Sequence, residues 1–494
     1  MLTQYLILLL YFGVLFAIGY FASKKIKNIA DYYVGGKKLG YWVVAFSTRA
    51  TGESAWLLLG LTGMGAIAGV SAFWVVVGET LGVAVAWLLM AKPFKRLSDQ
   101  YGSITIPDYL VSHFQAKTHR LRKIAATVLS VFVVIYVSAQ IDATGSAFEA
   151  FLGWDYYAGA IMGFLIVLSY IFFGGFVAVA WSDLFQGLLM LLGLVLLPTI
   201  GWALISEPSL FEGIREIDPG LMNVWGKGGL TTINVFTIFG FMMIGLGFMG
   251  SPQLFVRFMS IKNEEEINKG RWVAIIFTII TDSAAVLIGI IGRYYFTQEG
   301  LDIESILGNG GQNVLSMLVN KLMPSMIVGL YVAVVLSAIM STIDSLLVVA
   351  SSAITRDFYQ QILRPDSDEK TLNKLSRRVT FILALFALGV SMTVAVLSPE
   401  RTIFWFVIFG WSGIAATFCP VMILSLFWKG YSENGAIASM ITGFISVPVF
   451  KFGVNQLPEI GILFDKMDVM LPSFLLAMLA GFVVSKMENQ KGIS

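Results

Sequence analysis

Cysteine is almost missing from this chain, and so is histidine. One cysteine, Cys419, and two histidines, His113 and His119, occur in 494 residues. A lone cysteine excludes a disulfide framework and a cysteine metal site. The histidines lie together in one polar connection, with no nucleophile–base constellation around them and no phosphate loop elsewhere. An enzyme is therefore not what the sequence describes. Charge is scarce too. Asp, Glu, Lys and Arg make up 13% of residues, against about 25% in soluble domains. The formal net charge of +2 gives no reason to expect a nucleic-acid partner. What fills the chain is apolar, 57% of residues, and that composition describes a polytopic protein embedded in a lipid bilayer.

About 20 mainly apolar residues cross a membrane as a helix. Such stretches occur at 4–22, 41–68, 71–91, 124–150, 157–177, 183–204, 232–256, 272–294, 325–353, 378–398, 402–428, 433–451 and 469–486. They predict an all-α protein with about 13 transmembrane helices. The first stretch lacks a basic segment before it and a clear cleavage motif, so it reads as a retained span. Lys and Arg crowd the connections 24–38, 92–123, 257–271 and 356–378, all after odd-numbered spans, while 205–231 is acidic. By the positive-inside rule the N-terminus lies outside a cell membrane and the C-terminus in the cytoplasm.

Two spans are interrupted. The second holds the polar run Ser47-Thr48-Arg49-Ala50-Thr51-Gly52-Glu53-Ser54, and the seventh holds Gly245, Gly247, Gly250, Ser251 and Pro252. Non-helical backbone survives at membrane depth only where it lines protein or a cavity. The breaks fall five spans apart, the spacing of an inverted five-plus-five repeat with a site between its broken helices. The expected organisation is an extra helix and link (1–40), a first repeat (41–204), an extracellular connection (205–231) and a second repeat (232–428). Two further helices and a short tail (429–494) follow.

The ninth span carries a polar stripe of Ser337, Ser341, Asp344 and Ser345, with Ala338 and Thr342 on its shoulder. Residues three and four apart share a helix face. Hydroxyls beside a carboxylate are hard oxygen donors, suited to a small hard cation such as Na+; the plain alternative is that they cement helix packing. Arg49 and Glu53 are spaced to pair if the helix runs on between them, and Glu53 is otherwise a proton or cation ligand. Asp183 is a helix cap or an ion ligand. Glu79, Asp142 and Asp282 are expected to hydrogen-bond between helices. Asp142 follows Tyr136 and Gln140 on one span, and the three suit a polar solute.

Several short motifs point one way together: Asp31-Tyr32-Tyr33-Val34-Gly35-Gly36, Ser54-Ala55-Trp56, Thr105-Ile106-Pro107-Asp108-Tyr109-Leu110, and Gly174-Gly175-Phe176 leading to Trp181-Ser182-Asp183. Gly250-Ser251-Pro252-Gln253 with Arg257, Met340-Ser341-Thr342, and Asn434-Gly435-Ala436 complete the series. In this order, over the whole length, the chain resembles the sodium:solute symporters, closest to the bacterial sodium/proline symporters. The resemblance implies a fold of leucine-transporter type. It also implies a sodium site made by the carbonyls of Ala50, Glu53 and Ala338 and the hydroxyls of Ser341 and Thr342. Some relatives hold a second sodium with an aspartate like Asp183 and serines like Ser341 and Ser345; Asp344 adds to that set here, or serves as a proton site. Ser54, Trp56, Tyr136, Gln140, Asp142 and Phe248 are the expected solute contacts. Proline carriers have an acid where this chain has Gly52, and a tryptophan and a tyrosine at Ile244 and Phe248, so the resemblance implies an altered pocket. The expected function is sodium-coupled import of a small polar solute, an amino acid such as proline first, by a monomer using alternating access. Sugar or organic-acid carriage, proton coupling through Glu53 or Asp344, a sodium leak channel and a membrane sensor are the alternatives.

Overall fold

The computed structural model describes residues 2–26 and 28–490, with the chain trace alone at 170–174. Lys27, among the basic residues after the first span, and residues 491–494 of the tail lie outside the described residues, and Gly174 is one of the five given by trace. Helices dominate, and the described residues contain no β-strand. The physical reason is that hydrocarbon offers no partner to a backbone N–H or C=O, so each segment must satisfy its own.

The elements used below are α1 (Leu2–Ser23), α2 (Tyr41–Ala55), α3 (Phe73–Val85), α4 (Arg120–Leu152), α5 (Tyr156–Ala203), α6 (Thr232–Met243) and α7 (Pro252–Ser260). They continue with α8 (Glu264–Phe296), α9 (Ser325–Ser352), α10 (Glu369–Leu397), α11 (Ile403–Phe427) and α12 (Glu433–Phe452). Their starts are written in the sequence. Thr231, Asn263, Asp368, Thr402 and Ser432 each accept the backbone N–H three residues on, which satisfies a donor the helix cannot. Pro252 opens α7 at a position whose N–H needs no partner.

Among the described residues, eleven helices are long and apolar enough to cross a membrane. One of them, Tyr41–Gln100, has 60 residues. As a straight helix it would measure about 90 Å, three times the hydrocarbon core. A left-handed Gly69 (φ +60) divides it. Tyr156–Ser169 is apolar but shorter than a full crossing. The count of about thirteen therefore differs from the eleven at these two places, where the chain turns without a loop.

The second such place corrects an expected boundary. The sixth span is expected to start at 183, with Asp183 as its cap or an ion ligand. Instead α5 turns sharply at Gly175 (φ 50, ψ −160) and the next crossing begins there. A side chain at this corner would run into Tyr32. Asp183 consequently sits two turns inside the helix, fully buried.

The two expected interruptions are present. In α2 the helical path fails only at Ser54 (φ 47, ψ −167), so residues 47–53 stay helical. In the seventh span a 3-10 turn, Ile244–Met249, and a positive-φ Gly250 (φ 153) separate α6 from α7. The two half-helices meet elsewhere as well. Leu39, just before α2, receives its partners from the end of α7: its N–H donates to Ser260 O at 3.2 Å, and Lys262 N donates to its carbonyl at 2.9 Å. α9 lies at the centre, against α1, α2, α4, α5 and α10.

Gly245, Gly247 and Gly410 are close-packing positions. A Cβ at Gly245 would meet the backbone of Gly78, one at Gly247 the ring of Trp411, and one at Gly410 the backbone of Tyr136. Gly82 likewise lies directly against the Gly245 backbone, so α3 and the 3-10 turn touch main chain to main chain. Gly82→Val should therefore cost about 1–3 kcal/mol or more by overpacking. Thermal unfolding of the detergent-solubilised protein checks this, and an unchanged midpoint would show that these backbones separate freely.

Candidate functional site

The broken helix frees carbonyls that an intact α2 would satisfy. Beyond Ser54, Ala55 N turns to Gln140 Oε1 on α4, at 3.0 Å. Every carbonyl from 50 to 53 then finds a different donor. Ala50 O receives Ser341 Oγ at 2.9 Å, and Thr51 O receives Thr342 Oγ1 at 3.0 Å. Gly52 O receives Trp56 Nε1 at 3.1 Å, and Glu53 O receives the Trp56 backbone N–H. The hydroxyls of Ser341 and Thr342 also reach Ala338 O, both at 3.1 Å.

Four of the five expected sodium ligands are thus gathered: Ala50, Ala338, Ser341 and Thr342. Glu53 contributes differently, since its carbonyl is engaged by Trp56 and its side chain points into a charge cluster. Thr51, which is not among the expected ligands, has its carbonyl bonded by the Thr342 hydroxyl. Sequence reasoning missed it, although its position one residue after Ala50 faces the next hydroxyl of α9. Carbonyl and hydroxyl oxygens converging from two helices are a donor set that fits a small hard cation.

The rest of the stripe goes elsewhere. Ser337 donates to Tyr11 OH on α1, 3.0 Å away, which is helix packing. Ser345 Oγ lies 2.9 Å from Thr51 Oγ1 and 3.4 Å from Asp344 Oδ1. The expected second-sodium residues Asp183 and Ser345 do come together, but around a guanidinium. Arg257, on α7, donates through Nε to Ser47 Oγ (3.0 Å) and through one terminal nitrogen to Thr51 Oγ1 (2.7 Å), Asp183 Oδ2 (3.0 Å) and Ser345 Oγ. Ser341 faces Ala50 instead, and Asp344 stands behind Ser345. The Arg257 guanidinium thus contacts oxygens of two residues, Asp183 and Ser345, expected at the second cation set.

A second fully buried cation, Arg49, holds the other side of α2. The helix does run on from Arg49 to Glu53, and the two pair as the spacing predicts; Arg49 also pairs with Glu79 of α3 at 2.5 Å. Asp282 of α8 completes the group, with one carboxylate oxygen from each of Glu53, Glu79 and Asp282 within 4.8 Å of the others. Two of the three carboxylates pair with the Arg49 guanidinium, and the third, that of Asp282, lies beside them. The Arg49 guanidinium lies over the Phe248 ring, 4.7 Å from its centre. The ring also lies against Gly52, where a Cβ would come within 2.7 Å of it.

Most expected solute contacts surround this same corner. Tyr136 OH donates to Ser54 Oγ at 3.3 Å. Trp411 of α11 packs between Phe248 and Tyr136, with ring centres 5.0 and 6.2 Å away, and was not foreseen. Ser54, Trp56, Tyr136, Gln140 and Phe248 are thereby brought together. Asp142 is not. It pairs with Arg401 and accepts Tyr156 OH at 2.5 Å, and both partners line a separate polar cavity of about 210 Å³ with Glu149 and Gln312. Asp142 is two residues beyond Gln140, which turns it by about 200° around α4.

The description "Sodium:solute symporter family" belongs to the family model that matches residues 32–443. The chain is 34% identical over 471 residues to the high-affinity proline transporter PutP of Bacillus subtilis (strain 168), covering 95% of this chain and 94% of that protein. It is 31% identical over 493 residues to sodium/proline symporter 2 of Staphylococcus saprophyticus, covering 99% and 93%. Among solved structures it resembles a Na+-coupled sialic acid symporter in a substrate-bound outward-open state, with a TM-score of 0.79, 18% identity and 98% of each chain covered. MhsT in complex with L-phenylalanine matches with a TM-score of 0.54 and 13% identity over 90% of this chain and 98% of that one. At such identities the likeness speaks for the fold, which is of leucine-transporter type.

Removing the cation from a buried cluster leaves its carboxylates uncompensated, at a cost of about 3–5 kcal/mol. Arg49→Ala should accordingly lower the thermal midpoint of the purified protein sharply, while Arg49→Ala combined with Glu53→Gln and Glu79→Gln recovers part of the loss. A single variant as stable as the parent would show that Arg49 balances no charge.

Proposed function

Because the chain belongs to the sodium:solute symporter family, we infer that it imports a small polar solute, proline first, driven by sodium moving inward across the cell membrane. The observation that carries this reading is the meeting of Ser341 and Thr342 with the carbonyls of Ala50, Thr51 and Ala338. Sodium is cargo here. Its donors would be the two hydroxyls and the carbonyls they now bond, with Glu53 O as the remaining family position.

The solute would lie beside Ser54, Trp56, Tyr136, Gln140 and Phe248. Residues 50–56 belong to both groups. An ion that fixes Ala50 also fixes the turn at Ser54, and a solute that orders this turn favours the ion by the same free energy. Each positive charge carried inward gains about 2.3 kcal/mol per 100 mV. Since 1.4 kcal/mol is a factor of ten, one ion supports roughly 50-fold accumulation from voltage alone. Further parts of this reading are about thirteen crossings in the two repeats 41–204 and 232–428, an outer N-terminus, a cytoplasmic C-terminus and a monomer as the working unit. The presence of an acid at 53 and none at 52 supports a solute pocket different in detail from that of the proline carriers.

A second reading, proton coupling through Glu53, draws on its contact with Arg49 and its closeness to Glu79 and Asp282. Uptake that persists without sodium and collapses with the pH gradient would favour it.

Losing one hydroxyl ligand costs about 1–1.5 kcal/mol, so Ser341→Ala and Thr342→Ala should each raise the half-saturating sodium concentration for proline uptake in proteoliposomes about tenfold. Identical sodium dependence in both variants and the parent would sink the ion site. Failure to take up proline with sodium dependence intact for another amino acid, a sugar or an organic acid would change the solute alone.

A further inference from the structure

At the end of α1 the sequence turns from apolar to basic. α1 has 22 residues, so it measures about 33 Å and crosses the hydrocarbon once. Lys24 and Lys25 follow directly and emerge at a membrane surface. A lysine there ordinarily reaches into water, but these two lie back on aromatic rings. Lys24 Nζ stands 4.2 Å from the centre of the Tyr20 ring, and Lys25 Nζ stands 5.4 Å from that of Trp181. Tyr20, Phe21 and Trp181 are exposed on the outside of the bundle. Trp181 belongs to α5, six residues past the corner at Gly175. The end of α1 packs on this stretch through Ala22, Val177 and Ala178, so Lys25 bridges two helices. Neither lysine forms a salt bridge among the described residues, and Asp31, on the link to α2, is buried. A third exposed cation, Arg377 of α10, stands at the same end of the bundle. It follows Ser376, whose Oγ accepts Tyr33 OH at 3.4 Å, while the neighbouring Tyr32 fills the corner at Gly175.

We propose that the face formed by Tyr20, Phe21, Lys24, Lys25 and Trp181 binds an anionic phospholipid. The phosphate lies between the two ammonium groups, and an acyl chain runs along the exposed rings. The lysines carry charge without a protein counter-ion, and an anionic headgroup supplies one at the same depth. A zwitterionic headgroup brings its own cation and leaves that charge unmatched. Phenol and indole rings suit this boundary, because one end of each is apolar and the other is wet. Cation–π contact keeps the ammonium groups beside the lipid rather than out in bulk water. A free phosphate would answer the charge and leave the rings uncovered, so the lipid is the occupant. Seated there, it ties α1 to the corner of α5 from outside, as Ala22, Val177 and Ala178 do from within.

Native mass spectrometry of the purified full-length protein tests this, with titration of phosphatidylglycerol or of phosphatidylcholine bearing the same acyl chains. One lysine near an anionic headgroup is worth about a factor of five. The parent should therefore hold phosphatidylglycerol about 25-fold more tightly than Lys24→Gln/Lys25→Gln does, and should prefer it to phosphatidylcholine. Trp181→Leu keeps both charges and should weaken binding about threefold through the lost ring. Lys117→Gln/Lys123→Gln, a pair of exposed lysines elsewhere, is the control and should bind as the parent does. Equal affinity of the parent for the two lipids overturns the site, and that measurement needs no variant. A Lys24→Gln/Lys25→Gln protein that binds as tightly as the control overturns it as well. Release of phosphatidylglycerol by excess inorganic phosphate would reassign the lysines to a free anion and overturn the lipid.

Discussion

A helix interrupted in hydrocarbon must find donors for the carbonyls it releases, and the donors must be protein. That constraint organises this molecule. The break at Ser54 turns the Ala55 N–H away to Gln140, and the carbonyls of residues 50 to 53 are taken up by two hydroxyls of α9 and by both nitrogens of Trp56. The groups that hold the broken helix to its neighbour are therefore the groups suited to a hard cation. On the proposed function, packing and ion binding would draw on one set of oxygens. A hydroxyl that donates to a carbonyl in one state can turn its lone pairs to an ion in another, so the site needs no side chain to travel into it.

Charge follows the same logic on both sides of α2. Arg49 gathers carboxylates from α2 and α3 next to that of α8, and Arg257 gathers oxygens from α2, α5 and α9. Buried ion clusters of this sort are often no more stabilising than apolar side chains of equal volume. What they provide is direction. Each guanidinium tolerates one arrangement of its neighbours and penalises the rest, and α2 is held between the two of them.

Much of this was legible in the chain itself. The apolar runs gave the helices, the polar run 47–54 gave one interruption, and Gly and Pro gave the other. The stripe on α9 pointed to Ser341 and Thr342 because helical spacing alone places them on adjoining faces. The partners were harder. Ser47 and Arg257 lie 210 positions apart, and no periodicity relates the rotation of one helix to that of another. Glu79 and Asp282 were visible as buried acids, but only the packing of α3 and α8 against α2 brings them to Arg49. Asp183 was misplaced for a local reason: a glycine corner with positive φ stands where a loop was expected, and it moves the start of the helix by two turns. Asp142 looked like a neighbour of Gln140 in the sequence and points away from it in the helix.

The short bridge at Leu39 has a mechanical side. Its N–H and C=O are engaged by Ser260 and Lys262, beyond which Arg257 grips Ser47. α2 and α7 are thus stitched at two levels, once through backbone and once through side chains. Two struts joined at two points resist both sliding and pivoting against each other. The broken halves from the two repeats form a single lever, and tilting one transmits the load to the other without slack.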